Sequence, residues 1–273
     1  MNLREKRVAF LGLGTMGESL LEALFHEEIL APENTVATVL HPERAEHLTK
    51  KLGISVNIDN INATSQAEVV LLCVKPKVVE PVVREIAGEI NANKLIISIA
   101  ASITTQSIEQ ILGAAIPVIR AMPNTPCVIR SGMTGICRGK DVTESDLGIA
   151  RTLFESVGMV VEVDEEQMDA VTALSGSGPA FAYLIIESLV EAGVKVGLAR
   201  DAATVLVAQT LQGAVRMTLE SGQDPALLKD AVATPGGCTI EGIRALEDRN
   251  LRGILINAIV KTTERAKELA EKS

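Results

Sequence analysis

The run Val8-Ala9-Phe10-Leu11-Gly12-Leu13-Gly14-Thr15-Met16-Gly17 constrains this chain more than any other segment. An apolar stretch of strand character leads straight into G-x-G-x-x-G, and Glu18 to Leu24 continue with helical spacing. Each glycine has a role there: Gly12 permits the tight turn, Gly14 lets the backbone approach a pyrophosphate, and Gly17 lets helix and strand touch. The helix that follows offers unpaired N–H groups and a partial positive charge, which suit phosphate. A glycine pattern alone is weak evidence. Here strand and helix lie on the correct sides of it, so Gly12, Leu13, Gly14, Thr15 and Met16 read as the phosphate turn of a dinucleotide site.

The next residues supply a sheet for that turn. Strands are predicted at Val8–Leu11, Val36–Leu40, Val69–Val74, Leu95–Ser98, Val118–Arg120, Gly132–Cys137 and Val160–Val163. Helices are predicted near Gly17–His26, Glu43–Leu52, Val78–Ile90, Thr104–Leu112 and Glu144–Val157. Strands apolar throughout, alternating with helices, imply a mostly parallel α/β sheet of Rossmann type with helices on both faces. After about Asp164 strand signals stop. Helices follow near Glu165–Leu174, Pro179–Val196, Asp201–Ser221, Pro225–Ala233, Thr239–Asp248 and Leu251–Glu271, with Pro179 and Pro225 at first helical positions. The expected organisation is a dinucleotide-binding domain over 1–164 and an all-helical domain over 165–273, joined tightly.

Composition narrows the classes. With 47% hydrophobic residues but only 2% aromatic ones and no Trp, the core must be aliphatic. Ala202–Leu211 and Leu251–Val260 are apolar almost all round, and such helices need cover on every side, part of it expected from a second subunit. A net charge of −9 without a basic block makes nucleic acid and anionic membranes poor partners. No apolar run is expected to reach transmembrane length, and Met1 to Arg7 lead into the first strand without a signal-peptide core. Cys73, Cys127, Cys137 and Cys238 are scattered, which reads as reduced thiols in a cytoplasmic protein rather than a disulfide framework or metal site. His26, His41 and His47 fall in no metal spacing and give a histidine-based triad little to build on.

In units that bind NAD, a carboxylate ending the second strand grips the ribose 2′-OH. This strand ends Val39-Leu40-His41-Pro42-Glu43-Arg44, with no acid at its tip. His41 and Arg44 stand where a 2′-phosphate gains from donors and positive charge, which favours NADPH over NADH. The alternative is that Arg44 is a solvated helix charge.

Three further segments invite a ligand. Ala173 to Ala180 (ALSGSGPA) place glycines and the Ser175 and Ser177 hydroxyls between two helices, or form an ordinary elbow. Thr234 to Gly242 (TPGGCTIEG) put Gly236, Gly237, Cys238 and Thr239 at a helix start, where backbone N–H groups suit a small carboxylate. Thr239 reads there either as a ligand group or as a helix cap. Met122-Pro123-Asn124-Thr125-Pro126 follow a strand end of the kind where open α/β sheets bind ligands, or form a rigid loop.

Together these segments resemble the Δ1-pyrroline-5-carboxylate reductase family, over essentially the whole chain. Leu174–Tyr183 (LSGSGPAFAY) and Thr234–Gly242 at their mutual spacing are specific, the Arg120–Pro126 loop less so, and Val74-Lys75-Pro76 matches the family after its apolar strand. The resemblance implies reduction of a five-membered cyclic imine carboxylate to L-proline by NAD(P)H, the last step of proline biosynthesis. It implies a helical domain that interlocks into homodimers, in some members a homodecamer. It places Asn60 near the adenosine ribose and 2′-phosphate, and Lys75, Pro76 and Ala100 near the cofactor. It assigns the Thr234–Thr239 turn to the substrate carboxylate. Thr239 Oγ is then expected to hydrogen-bond the ring nitrogen as hydride arrives. An iminium is already electrophilic, so no metal, strong base or covalent nucleophile is required. Two rivals stand beside this reading. A β-hydroxyacid-dehydrogenase-like reductase needs a lysine donor on an interdomain helix, whereas Lys195 reads as solvated. A non-catalytic NADP-binding sensor has no need of the later segments.

Overall fold

The computed structural model describes residues 3–113 and 115–270. Strand β1 (Val8–Leu11) turns at its glycines into α1 (Thr15–His26), and β2 (Thr35–Thr38) leads to α2 (Pro42–Leu52). Then come β3 (Ser55–Asn57), α3 (Asn60–Gln66), β4 (Val69–Leu72), α4 (Pro76–Ile86), β5 (Leu95–Ser98), α5 (Thr105–Leu112) and β6 (Val118–Met122). The sheet closes with β7 (Gly132–Arg138), α6 (Glu144–Glu155) and β8 (Gly158–Glu162). After β8 the chain is helical: α7 (Met168–Val171) passes into a π turn over Thr172–Gly176. Helices α8 (Gly178–Lys195), α9 (Arg200–Ser221), α10 (Pro225–Val232), α11 (Cys238–Asp248) and α12 (Leu251–Ala270) complete it.

The eight strands lie in the order β3-β2-β1-β4-β5-β6-β7-β8. All neighbours are parallel except β6 and β7, so β7 and β8 run against the rest. This is the mostly parallel sheet that the apolar strands imply. Along β1 the side chains alternate between its two faces. Val8 and Phe10 join Leu20, Leu24, Leu48 and Phe154 on one side, while Ala9 and Leu11 join Val79, Val83, Ile86 and Ile108 on the other. Both layers are mainly aliphatic, with Phe10 and Phe154 as the fully buried aromatic side chains of the first. Local signals start the helices: Pro76 at the first position of α4, and a reciprocal Thr143–Asp146 capping box on α6. Lys94, buried, donates from Nζ to the carbonyls of Thr64 (2.8 Å), Ser65 (3.1 Å) and Ala67, closing the end of α3 with a cation.

The structure adds elements that periodicity does not show. β3 spans three residues and α3 reads Asn-Ile-Asn-Ala-Thr-Ser-Gln, so neither has an apolar rhythm. β2 ends at Thr38, and Leu40 beyond it is exposed. Glu165–Lys195 is, among the described residues, one stretch long and apolar enough to cross a membrane by length and composition. That corrects the expectation that none exists. Glu165 and Asp169 charge its start, where both reach Arg120 on β6.

The packing forms two compact units. One takes the chain up to Ser177 together with the residues from Thr262 onward; the other is Gly178–Lys261. Residues 165–177 go with the sheet, although strand signals end near Asp164, because Glu165 and Ser175 are bonded into it. In the second unit α8 and α9 pack together, with Ala203 Cβ so near Gly193 that a methyl there would lie 3.0 Å away. Among the described residues, its buried apolar side chains are Val190 and Ala203. Leu184, Leu189, Val205, Leu206, Met217, Ile254 and Ile256 lie exposed.

Candidate active site

The carboxyl ends of β1, β2, β4, β5 and β6 share one edge of the sheet, and the order reverses between β1 and β4. Open α/β sheets bind ligands at that crevice. Gly12 turns the chain there at φ +78°, and a Cβ on it would lie 2.2 Å from Val74 Cγ1. Gly17 is confined less severely, since its Cβ would meet Cys73 Cβ at 3.1 Å. Gly14 caps α1 without any side-chain bond, so the first-turn amides remain available to an anion. Leu13 is committed inward: its side chain is in the core and its amide donates to the Thr38 carbonyl at 2.8 Å.

Thr38 fastens this turn, and no sequence signal marked it beyond a hydroxyl at the end of an apolar strand. Its Oγ1 accepts from Gly12 N at 3.2 Å and donates to Asn60 Oδ1 at 2.6 Å. Asn60 in turn donates from Nδ2 to Glu85 at 2.9 Å. Asn60 is thereby brought beside the glycine turn. His41 is exposed at the cap of α2 with no capping bond. The Arg44 guanidinium bonds to Glu18 in the first turn of α1, and Lys51 Nζ reaches the other oxygen of Glu18 at 2.7 Å.

The chain after β4 and β6 lies at the same edge. Val74 backs the glycine turn, Lys75 is exposed at the cap of α4, and Pro76 begins that helix. Ala100 is buried just past β5, its amide donating to Ser98 Oγ at 3.3 Å. After β6, Met122 and Pro123 lead to Asn124, whose side chain is itself buried in bonds. Asn124 Nδ2 donates to the Ser175 carbonyl at 3.2 Å, and its Oδ1 accepts from Met133 N at 2.9 Å. A Cβ on Gly176 would lie 2.6 Å from Met122 Cε. The loop after β6 and the serine-glycine turn, far apart in sequence, thus meet at the π turn, an irregularity common at functional sites. Asn124 uses its amide to join them. Ser177 closes the turn, its amide donating to the Thr172 carbonyl at 2.9 Å.

Beneath this edge lies a buried ionic cluster that the motifs did not mark. Arg120, 2% exposed, donates from Nη1 to Glu165 at 2.7 Å. The other Glu165 oxygen accepts from the Thr105 amide (3.0 Å) and hydroxyl (2.7 Å). Burial alone would push the Glu165 carboxyl up, but the Thr105 bonds and Arg120 outweigh it and hold the group below the usual range. Burial pushes the neighbouring Cys137 thiol up to about 12, so it is inert.

In the second unit, Thr234 to Thr239 form a turn with Gly236 at φ +68° and Gly237 donating its amide to the Thr234 carbonyl at 3.0 Å. Gly237 is the cap of α11 and makes no side-chain bond, so Thr239 sits inside the first turn and is not the cap. The amides of that first turn are open to an anion, and the Thr239 hydroxyl has no partner among the described residues.

Two family models match the chain: pyrroline-5-carboxylate reductase dimerisation over residues 165–269, and NADP oxidoreductase, coenzyme F420-dependent, over residues 7–102. The pyrroline-5-carboxylate reductase of Methanosarcina acetivorans is 39% identical over 270 residues, covering 99% of this chain and 100% of its own. The chain belongs to the pyrroline-5-carboxylate reductase family. The Synechocystis member is 40% identical over 269 residues, with 97% of this chain and 99% of its own covered. Among solved structures, a pyrroline-5-carboxylate reductase from Coxiella burnetii superposes with a TM-score of 0.91 at 36% identity, covering 97% of this chain and 98% of its own. That of Plasmodium falciparum, solved with NADP bound, superposes at 0.88 with 32% identity, covering 98% and 99%. Leu174–Tyr183 and Thr234–Gly242 both fall within the span matched by the reductase dimerisation model. For the rival dehydrogenase reading, Lys195 is exposed at the end of α8, outside the serine-glycine turn.

Proposed function

We infer that this chain reduces L-1-pyrroline-5-carboxylate to L-proline with NADPH or NADH, closing proline biosynthesis. The observation that carries the reading is 39% identity over 270 residues to a reductase of that name, with the LSGSGPAFAY and TPGGCTIEG segments in place. The glycine turn fits a dinucleotide: Gly12 makes the turn tight against Val74, a Cβ on Gly14 would meet only the Gly12 carbonyl at 3.9 Å so the space before it is open, and the amides at the start of α1 are uncapped. When bound, the nicotinamide supplies the hydride.

The residue roles follow from that placement. Gly12 and Gly14 let the backbone approach the pyrophosphate, the amides of Thr15 and Met16 hold it, and Leu13 holds the turn to β2. His41, Arg44 and Asn60 serve the adenosine ribose and its 2′-phosphate. Val74, Lys75, Pro76, Ala100, Met122 and Pro123 shape the path toward the nicotinamide, and Asn124 keeps that path in register by bonding Ser175 and Met133. On the substrate side, amides of Gly236, Gly237, Cys238 and Thr239 take the carboxylate, and Ser177 adds a hydroxyl. Thr239 Oγ donates to the ring nitrogen, whose lone pair forms as the imine carbon is reduced. Most of the acceleration then comes from placement and fixed dipoles.

Residues 165–273 act as the substrate-binding and dimerisation domain, and the working assembly is a homodimer. The exposed leucines, valines and isoleucines of α8, α9 and α12 support this, since a surface so apolar calls for cover. A homodecamer built from such dimers is the larger alternative, and sedimentation separates the two. Four free cysteines suit a reducing compartment, and we place the protein in the cytoplasm. The deciding assay follows NADPH and NADH absorbance with pyrroline-5-carboxylate. No consumption of either, by protein that still binds cofactor, overturns the assignment.

A further inference from the structure

We propose that Glu18 tempers the choice between NADPH and NADH by standing in for the 2′-phosphate at the Arg44 guanidinium. This rests on the reading that Arg44 faces that phosphate. Glu18 follows Gly17 directly in the first turn of α1, and its side chain is 12% exposed. Arg44 belongs to the first turn of α2, just past the tip of β2, where it leans back to the glycine turn and bonds Glu18. Lys51 holds the second Glu18 oxygen at 2.7 Å and Glu22 at 2.6 Å. Two cations therefore face two carboxylates, so the charge of Arg44 and Lys51 is already answered before a dianion arrives. A carboxylate offers the same paired acceptor oxygens as one face of a phosphate, and a guanidinium fork binds either. A cofactor with a 2′-phosphate has to draw Arg44 away from Glu18, while one with a free 2′-OH does not. Glu18 thus lowers discrimination without touching the reacting atoms.

The test measures dissociation constants of NADPH and NADH by cofactor fluorescence for wild type, Glu18→Gln, Glu18→Ala, Arg44→Ala and the Glu18→Gln/Arg44→Ala double variant. Arg44 and Lys51 are 42% and 45% exposed, and ion pairs with one partner so open to solvent are weak, so each Glu18 substitution should raise the NADPH-over-NADH affinity ratio by about two- to fivefold. The gain should come from tighter NADPH, with unchanged NADH binding showing that the site is intact. In the Arg44→Ala background the Glu18 substitution should leave the ratio where Arg44→Ala alone puts it. If Arg44→Ala weakens NADPH selectively but the Glu18 variants leave the ratio unchanged or lower it, the proposal on Glu18 is overturned. If Arg44→Ala weakens both cofactors alike, the reading of Arg44 itself fails, and the proposal falls with it.

Discussion

The Arg120 guanidinium and the Glu165 carboxylate meet at 2.7 Å, and this bond ties the chain after β8 to the middle of β6. Asp169 stands 3.7 Å from the other arginine nitrogen, too far to replace Glu165. Glu165→Ala leaves a buried cation without its carboxylate. It should cost about 3 kcal/mol, the lower end for a broken buried pair because Glu165 is partly exposed. The urea midpoint should fall with an unchanged slope.

The same carboxylate sets an acid limb. Its pKa in the folded protein lies below the ordinary glutamate value of 4.5, so the folded state holds its proton less tightly than the unfolded chain. The stabilisation is therefore complete above that value and is lost as pH falls through the lowered one. Glu165→Gln should be less stable than wild type at neutral pH, and the gap should close as the solution is acidified below pH 4.5. A gap that stays constant down the acid limb contradicts the assignment.

Thr38→Val removes the acceptor for Gly12 N and the donor to Asn60 while keeping the shape of the side chain. Cofactor binding should weaken by roughly tenfold, the scale of one lost hydrogen bond in a buried turn. Turnover at saturating cofactor should hold, and titration of NADPH against both proteins decides it.

Thr239→Ala should lower turnover by about 10- to 1000-fold, the scale of one well-placed donor, with cofactor affinity little changed. Thr239→Ser should retain most of the rate. Since Gly237 and not Thr239 caps α11, a rate loss cannot be attributed to a lost cap, and the melting midpoint should stay near wild type.

Much of the fold was legible in the sequence because buried parallel strands advertise themselves. Val8–Leu11 and Leu95–Ser98 carry nothing but apolar and small residues between turn signals, and both are strands over those residues. β3 and α3 were not legible: Ser55–Asn57 owes its strand to pairing with β2, and α3 to the Asp59 cap that accepts from Asn62 N. The candidate site divides the same way. Glycines announce themselves through steric need, as at Gly12. The bonds from Thr38 to Asn60, Glu18 to Arg44 and Asn124 to Ser175 span 22, 26 and 51 residues, which no local pattern encodes. Asn124 is the clearest case, since its residue type suggested a ligand donor and nothing local foretold that it also braces Ser175 and Met133.

Helices α8 and α9 each bury one apolar side chain, Val190 and Ala203. Apolar surface of this extent orders water around the lone chain, and cover from a second subunit would relieve that cost. The melting midpoint is therefore expected to rise with protein concentration, which a dilution series followed by calorimetry checks.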